Sequence, residues 1–140
     1  MAAPAIRFRV DFGQDAAIGP GKIALLEQIE RAGSLSKAAR DNGMSYRRAW
    51  QLLDSLNSSF AEPVAMTRMG GYRGGGGTTL TPFGKRLIRL YRAFDSHIHA
   101  HAAKHFASIR TVTRVKRRVR AVTRIVHLSD RKPRHIAWSS

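Results

Sequence analysis

Residues Gly33–Trp50 read GSLSKAARDNGMSYRRAW, and this stretch decides the fold. Gly33 stops the helix before it. Ser34 is the kind of residue that caps a helix N-terminus by accepting a backbone N–H, and Leu35, Ala38 and Ala39 then recur at helical spacing until about Gly43. Ser45 is a second candidate cap. From Tyr46 to about Asn57, the residues Ala49, Leu52, Leu53 and Leu56 make one apolar face. When two short helices are joined by a turn as tight as DNGMS, the second can lay its N-terminal end into a major groove, provided that end is polar and cationic. Here Ser45, Tyr46, Arg47 and Arg48 open the helix, and Gln51 follows one turn later. Arginine bonds guanine bidentately and glutamine does the same to adenine. The plain alternative for Arg47 and Arg48 is a solvated helix face, but their place after a tight turn in a basic chain favours the groove. Tyr46 suits either a phosphate hydrogen bond or packing, and Trp50 is read as core.

Upstream, Ile6, Phe8, Val10 and Phe12 alternate with Arg7, Arg9 and Asp11, the period of a half-buried strand that Gly13 ends. Ile18 to Gly21 punctuates the way into a helix carrying Leu25, Leu26, Ile29 and Ala32. Downstream, Val64–Met69 and Thr78–Thr81 flank GGYRGGGG at Gly70–Gly77, which holds six of the chain's 12 glycines. This is a hairpin with a glycine-rich tip. A nucleotide-binding loop would need a lysine followed by Ser or Thr, which the tip lacks. As a wing, it lets the backbone at Gly74 and Gly75 approach DNA while Arg68 and Arg73 supply charge; a loop without a role is the plain alternative. Thr81-Pro82 caps and opens a last helix, on which Leu87, Tyr91, Phe94, Ile98 and Ala102 form one stripe. The expected fold is mainly α with a small β component: a winged helix-turn-helix with a Gly-rich wing and a long C-terminal dimerisation helix. The recognition helix would span about 45–57 and the wing 64–81.

The chain has 140 residues with 25 Lys and Arg against 9 Asp and Glu, a formal charge of +16. Such an excess points to a polyanionic partner, nucleic acid first and an anionic membrane surface second; with the helix order above, double-stranded DNA is the expected partner. It divides between residues 1–106, read as the DNA-binding and dimerisation domain, and residues 107–140, a more basic extension read as disordered or conditionally helical. The chain has no cysteine, so disulfides, thiolate metal sites and cysteine nucleophiles are excluded. No apolar run approaches the roughly 20 residues of a membrane span. Arg7, Arg9 and Asp11 interrupt the N-terminal apolar stretch, so no secretory signal is read there and the expected location is cytoplasmic, at the nucleoid. No catalytic pairing is legible, and the chain is not read as an enzyme.

Gly33–Trp50, together with RMGGYRGGGGTTLTPFGKRLIRLY at Arg68–Tyr91, resembles the N-terminal DNA-binding domain of ModE-type molybdate-responsive transcriptional regulators. LysR-type regulators share the G-S-x-S-x-A-A string and the T-x-x-G start of the last helix. The S-Y-x-x-A-W string and the glycine-rich tip are closer to the ModE type. The resemblance covers about Ile18–Phe106. It implies a homodimer on a palindromic operator, built through the first strand and the last helix; the stripe of Leu87, Tyr91, Phe94 and Ile98, close to a 3.5-residue repeat, is read as core or as that subunit contact. It also implies that Ser34, Ser36 and Lys37 face a phosphate, that Ser45, Tyr46, Arg47, Arg48 and Gln51 lie on the recognition helix, and that Arg68, Arg73, Gly74 and Gly75 form the wing. Full-length members carry a C-terminal oxyanion-binding region of β-barrel modules. Ala107–Ser140 has neither the strand pattern nor the turns of such a barrel, so no molybdate or other cofactor is expected here.

His97, His101 and His105 recur at i, i+4 and i+8 and share a helix face, a spacing able to hold a divalent metal. No carboxylate joins that face, and a solvated surface is preferred. In the extension, Val112, Val115, Val119, Val122 and Val126 repeat among six basic residues, the pattern of a basic amphipathic helix. It supports the competing reading, a non-specific DNA- or RNA-binding protein driven by its tail.

Overall fold

The structure is a computed structural model and describes residues 4–70 and 76–109. Two short strands, β1 (Val10–Asp11) and β2 (Ala17–Ile18), pair antiparallel before α1 (Pro20–Ala32). Next come α2 (Leu35–Asp41), α3 (Tyr46–Ser59), the hairpin β3 (Ala65–Arg68) and β4 (Gly77–Leu80), and the long α4 (Pro82–His105). The core gathers the apolar stripes of the first three helices: Ile23, Leu25, Leu26, Ile29, Ala38, Ala49 and Leu56 are all fully buried. Ala38 and Ala39 leave no side-chain bulk between α2 and its neighbours, which is why so short a helix docks closely.

Local chemistry sets the helix ends as the sequence predicts. The Ser34 hydroxyl accepts the Lys37 N–H, Ser45 that of Arg48, and Thr81 that of Gly84. Gly33 closes α1 in the left-handed region at φ 64°, where residues with a Cβ are strained. Its carbonyl accepts the Thr78 N–H at 2.9 Å, so the turn that ends α1 also anchors the wing.

The N-terminal segment differs in extent from the expected strand. Its burial alternates as predicted from Ile6 to Asp11, but Phe12, expected on the half-buried face, is 55% exposed, and only Val10 and Asp11 find a ladder, because the partner strand is the two-residue Ala17–Ile18. Ile18 of that strand falls in the stretch that the sequence reads as helix punctuation. The remaining segment lies against α4. Phe8 stacks on Tyr91 with ring centroids 4.5 Å apart and meets Phe94 edge-on at 5.3 Å. The Tyr91 hydroxyl donates to the Phe8 carbonyl, and burial raises the pKa of that phenol. The Ile6 N–H donates to His99 Nε2, leaving His99 Nδ1 to bond the Asp95 carbonyl. Of the stripe read as core or subunit contact, Leu87 and Tyr91 are thus in the chain's own core, while Phe94 is 51% exposed and Ile98 half-buried. Trp50 corrects the expectation of a core residue. It is 52% exposed, because position 50 falls on the flank of α3 outside the Ala49, Leu53 and Leu56 stripe.

Arg92 on α4 clamps Glu27 on α1 in a bidentate pair, Nε to Oε1 at 2.6 Å and the second nitrogen to Oε2 at 2.8 Å. The Arg92 hydrogen bond holds the Glu27 carboxyl below its usual range, overcoming the opposing effect of burial. A depressed carboxyl stabilises the fold above its unfolded pKa, and that contribution is lost as pH falls through the folded value. Glu27→Gln is therefore expected to lower stability at neutral pH by about 0.5–1 kcal/mol, since Arg92 is open to solvent. Urea unfolding should show the gap between variant and wild type closing as the medium is acidified.

A three-helix core, a tight α2–α3 turn and a β-hairpin between α3 and α4 together make a winged helix-turn-helix.

Candidate nucleic-acid interface

The α2–α3 turn is fixed by backbone bonds from the Gly43 N–H to the Arg40 carbonyl and from the Met44 N–H to the Ala39 carbonyl, with Gly43 at φ 64°. It delivers α3 with its apolar stripe inward. Arg47, Gln51 and Asp54 are exposed on the side opposite Ala49, Leu53 and Leu56. No ion pair to Arg47, Arg48 or Arg68 is formed among the described residues, so their guanidinium groups are free to meet an anion. Asp54 ends the cationic part of the outward face one turn beyond Gln51, which confines any groove contact to the N-terminal half of α3.

The two flanks of α3 differ. On one, Tyr46 joins Ser34, Ser36, Thr67, Gly77 and Thr78 around an open cleft of about 140 Å³ between the start of α2 and the wing. This side offers hydroxyl groups, which donate to phosphate oxygens without carrying charge. Lys37, also exposed, pairs with Asp41 at 3.2 Å. On the other flank, Arg48 with Leu52 and Ser55 lines a second cleft near the start of α1. The side chains expected on the recognition helix thus divide: Arg47 and Gln51 outward, Tyr46 toward the wing, Arg48 toward α1.

The wing is pinned at its base. Ala65 pairs with Leu80, Met66 with Thr79, Thr67 with Thr78 and Arg68 with Gly77. Asn57 Oδ1 accepts the N–H groups of Val64 and Ala65, and its Nδ2 donates to the Ala65 carbonyl. One amide thus welds the end of α3 to the start of β3. From the other side, the Thr81 hydroxyl donates to the Pro63 carbonyl and the Thr81 N–H to that of Val64. Arg68, at the end of β3, is exposed. Arg73, Gly74 and Gly75 lie outside the described residues, as does the extension from residue 110 onward.

Asn57 and Thr78 escape sequence reading because an Asn near a helix end and a Thr in a strand are unremarkable by type; only their long-range backbone partners give them a role. On α4, His97, His101 and His105 are all exposed. Among the described residues no group of three or more His, Cys, Asp or Glu is placed to hold a metal ion.

With this geometry in view, the relatives are informative. Over 89 residues the chain is 40% identical to the molybdenum transport protein ModE of Azotobacter vinelandii, which covers 64% of this chain and 33% of that protein. Over 83 residues it is 42% identical to the molybdenum-pterin-binding protein MopB of Rhodobacter capsulatus (59% and 30%). Over 72 residues it is 43% identical to the DNA-binding transcriptional dual regulator ModE of Escherichia coli (51% and 27%). The chain carries a ModE-like domain. It spans about a third or less of the length of these curated relatives. No family model matches the chain. The ModE-like domain contains no helix, among the described residues, long and apolar enough to cross a membrane.

Proposed function

We propose that this protein is a sequence-specific DNA-binding transcriptional regulator that reads the major groove with the N-terminal half of α3 and braces the duplex with its wing. The observation that carries the reading is the outward pair Arg47 and Gln51, exposed and free of carboxylate partners, on the helix that follows the tight turn. Ser34, Ser36, Lys37 and Tyr46 on one side and Arg68 on the wing supply phosphate contacts, as do Arg73, Gly74 and Gly75 of the tip. The similarity to ModE proteins supports regulation of molybdenum-related genes in the cytoplasm.

The working unit we propose is a homodimer on a palindromic operator. Two recognition helices about one DNA turn apart would read a two-fold site. Exposed Leu90 and Phe94 on α4, with Ile98 beside them, favour α4 as the contact; Leu87 and Tyr91 support it from within the core. Residues 107–140 would add non-specific attraction to the phosphate backbone.

Trp50 gives the test an internal reporter, because it stands half-exposed one turn beyond Tyr46 on the proposed DNA-binding helix. In a Trp138→Phe background Trp50 is the sole tryptophan. Duplex DNA is expected to change its emission saturably, with a midpoint that moves to weaker binding as salt rises. A duplex that binds by gel shift yet leaves Trp50 emission untouched would put the DNA elsewhere on the protein, as the tail-driven reading requires.

A further inference from the structure

The cleft on the α1 side of the recognition helix carries a charge pattern that base reading does not use. It measures about 420 Å³ and brings together Arg9 from the segment before β1, Lys22 from α1 and Arg48 from α3, with Gln14 and Ser55 as neutral polar neighbours. The Lys22 ammonium donates to the Ala17 carbonyl at 2.8 Å and to Ser55 Oγ at 3.2 Å. Both acceptors are neutral, and no carboxylate pairs with it among the described residues. Burial, then the nearby Arg9 guanidinium, lowers the Lys22 pKa. A half-buried lysine is thus held next to another cation without compensation of its own. Two carboxylates lie near: Asp15 lines the cleft, and Asp11 pairs with Arg9 at 2.6 Å. They leave the group with an excess of positive charge. Gly19 and Gly21 line the cleft where α1 begins, and the first turn of α1 has no acidic residue. Arg48, Leu52 and Ser55 recur along one flank of α3, so the cleft opens beside the residues proposed to enter the groove.

We infer that this cleft is a binding site for a phosphate-class oxyanion, held by Lys22, Arg9 and Arg48 with Ser55 as a neutral neighbour. An anion there would relieve repulsion among the cations and supply the charged acceptor that Lys22 lacks. The same chemistry is offered by free inorganic phosphate and by a DNA backbone phosphate flanking the bases read by Arg47 and Gln51. The second source rests on the DNA-binding reading, and the first does not.

The test uses the full-length protein with Lys22→Met, Arg48→Gln and, as a charge-matched control away from the cleft, Arg89→Gln on α4. Retained amide chemical-shift dispersion checks the fold of each. Titrating inorganic phosphate at constant ionic strength should shift the amides of Gly21, Lys22 and Ile23 saturably in the wild type and in Arg89→Gln. Lys22→Met should abolish the effect, and Arg48→Gln should weaken it at least several-fold. In the DNA arm, Lys22→Met should make the slope of log K against log salt shallower by about one. It should weaken specific and unrelated duplexes alike, while Arg89→Gln leaves both unchanged. A saturable phosphate response without a slope change assigns the site to a free anion; a slope change without saturable free-phosphate binding assigns it to the DNA backbone. Both outcomes uphold the site. Absence of both effects in Lys22→Met, or equal effects in Arg89→Gln, would overturn it. Should the wild type bind no DNA yet bind phosphate through Lys22, the regulator reading would fail and the oxyanion site would stand.

Discussion

Replacing Gly84 with alanine is expected to destabilise the domain by about 2–3 kcal/mol, the cost of forcing extra bulk into a closed contact. Gly84 sits in the first turn of α4, where that turn presses on the chain leading into β3. A Cβ there would lie 3.0 Å from the Val64 carbonyl carbon and 3.3 Å from its Cα, with the Val64 oxygen nearer still. These atoms belong to backbone and cannot rotate aside. Val64 is fully buried, its N–H is held by Asn57 and its carbonyl by the Thr81 N–H, so relief in any direction breaks a hydrogen bond. The sign is diagnostic. At an open helical site alanine is better than glycine by roughly 1 kcal/mol, so helix propensity alone predicts stabilisation. A fall in melting temperature of roughly 10 °C or more is expected for a domain of this size. Thermal unfolding followed by circular dichroism measures it, and an unchanged or higher midpoint would mean that the α4–β3 contact is not rigid.

The second large effect concerns binding. Arg47→Ala and Gln51→Ala are each expected to weaken an operator duplex by about 10–100-fold, the range of one bidentate base contact. The loss should be confined to the specific site. On an unrelated duplex Gln51→Ala should change little, because it removes no charge. Arg47→Ala should cost only the modest factor of one cation. Arg48→Ala should behave differently, weakening both duplexes by similar factors, since its side chain lines the cleft toward α1. Gel shifts on both duplexes at matched salt separate the three patterns. Equal losses for all three variants would mean that α3 supplies charge without reading sequence.

The helix order, the three serine and threonine caps, the stop at Gly33 and the paired strands of the hairpin are legible because each is local. Caps and turns depend on a few adjacent residues, and apolar periodicity shows which face must be buried. Three features are not fully legible, each for its own reason. The partner strand Ala17–Ile18 is two residues long, too short to display a period. Residue type assigns Trp50 to the core, whereas its exposure follows from helical phase relative to Ala49 and Leu53. The stripe of Leu87 and Tyr91 stays open between core and subunit contact, because periodicity shows that a stripe is buried without saying against what. The structure packs them beneath the N-terminal segment, with Phe8 on Tyr91. Within the site, Arg47 and Arg48 are adjacent and identical in type. Only the positions of β1, α1 and the start of α3 send one outward and the other toward Arg9 and Lys22.

The most direct measurement is selection from a pool of random duplexes by the full-length protein, run at salt high enough to suppress backbone-driven binding, with wild type and Arg47→Ala in parallel. The wild type is expected to enrich one motif with two-fold symmetry and half-sites about one helical turn apart. Arg47→Ala should lose preference at a single position in each half-site and keep the rest. Wild-type pools without any enriched motif, or identical motifs from both proteins, would contradict a recognition helix that reads sequence through Arg47.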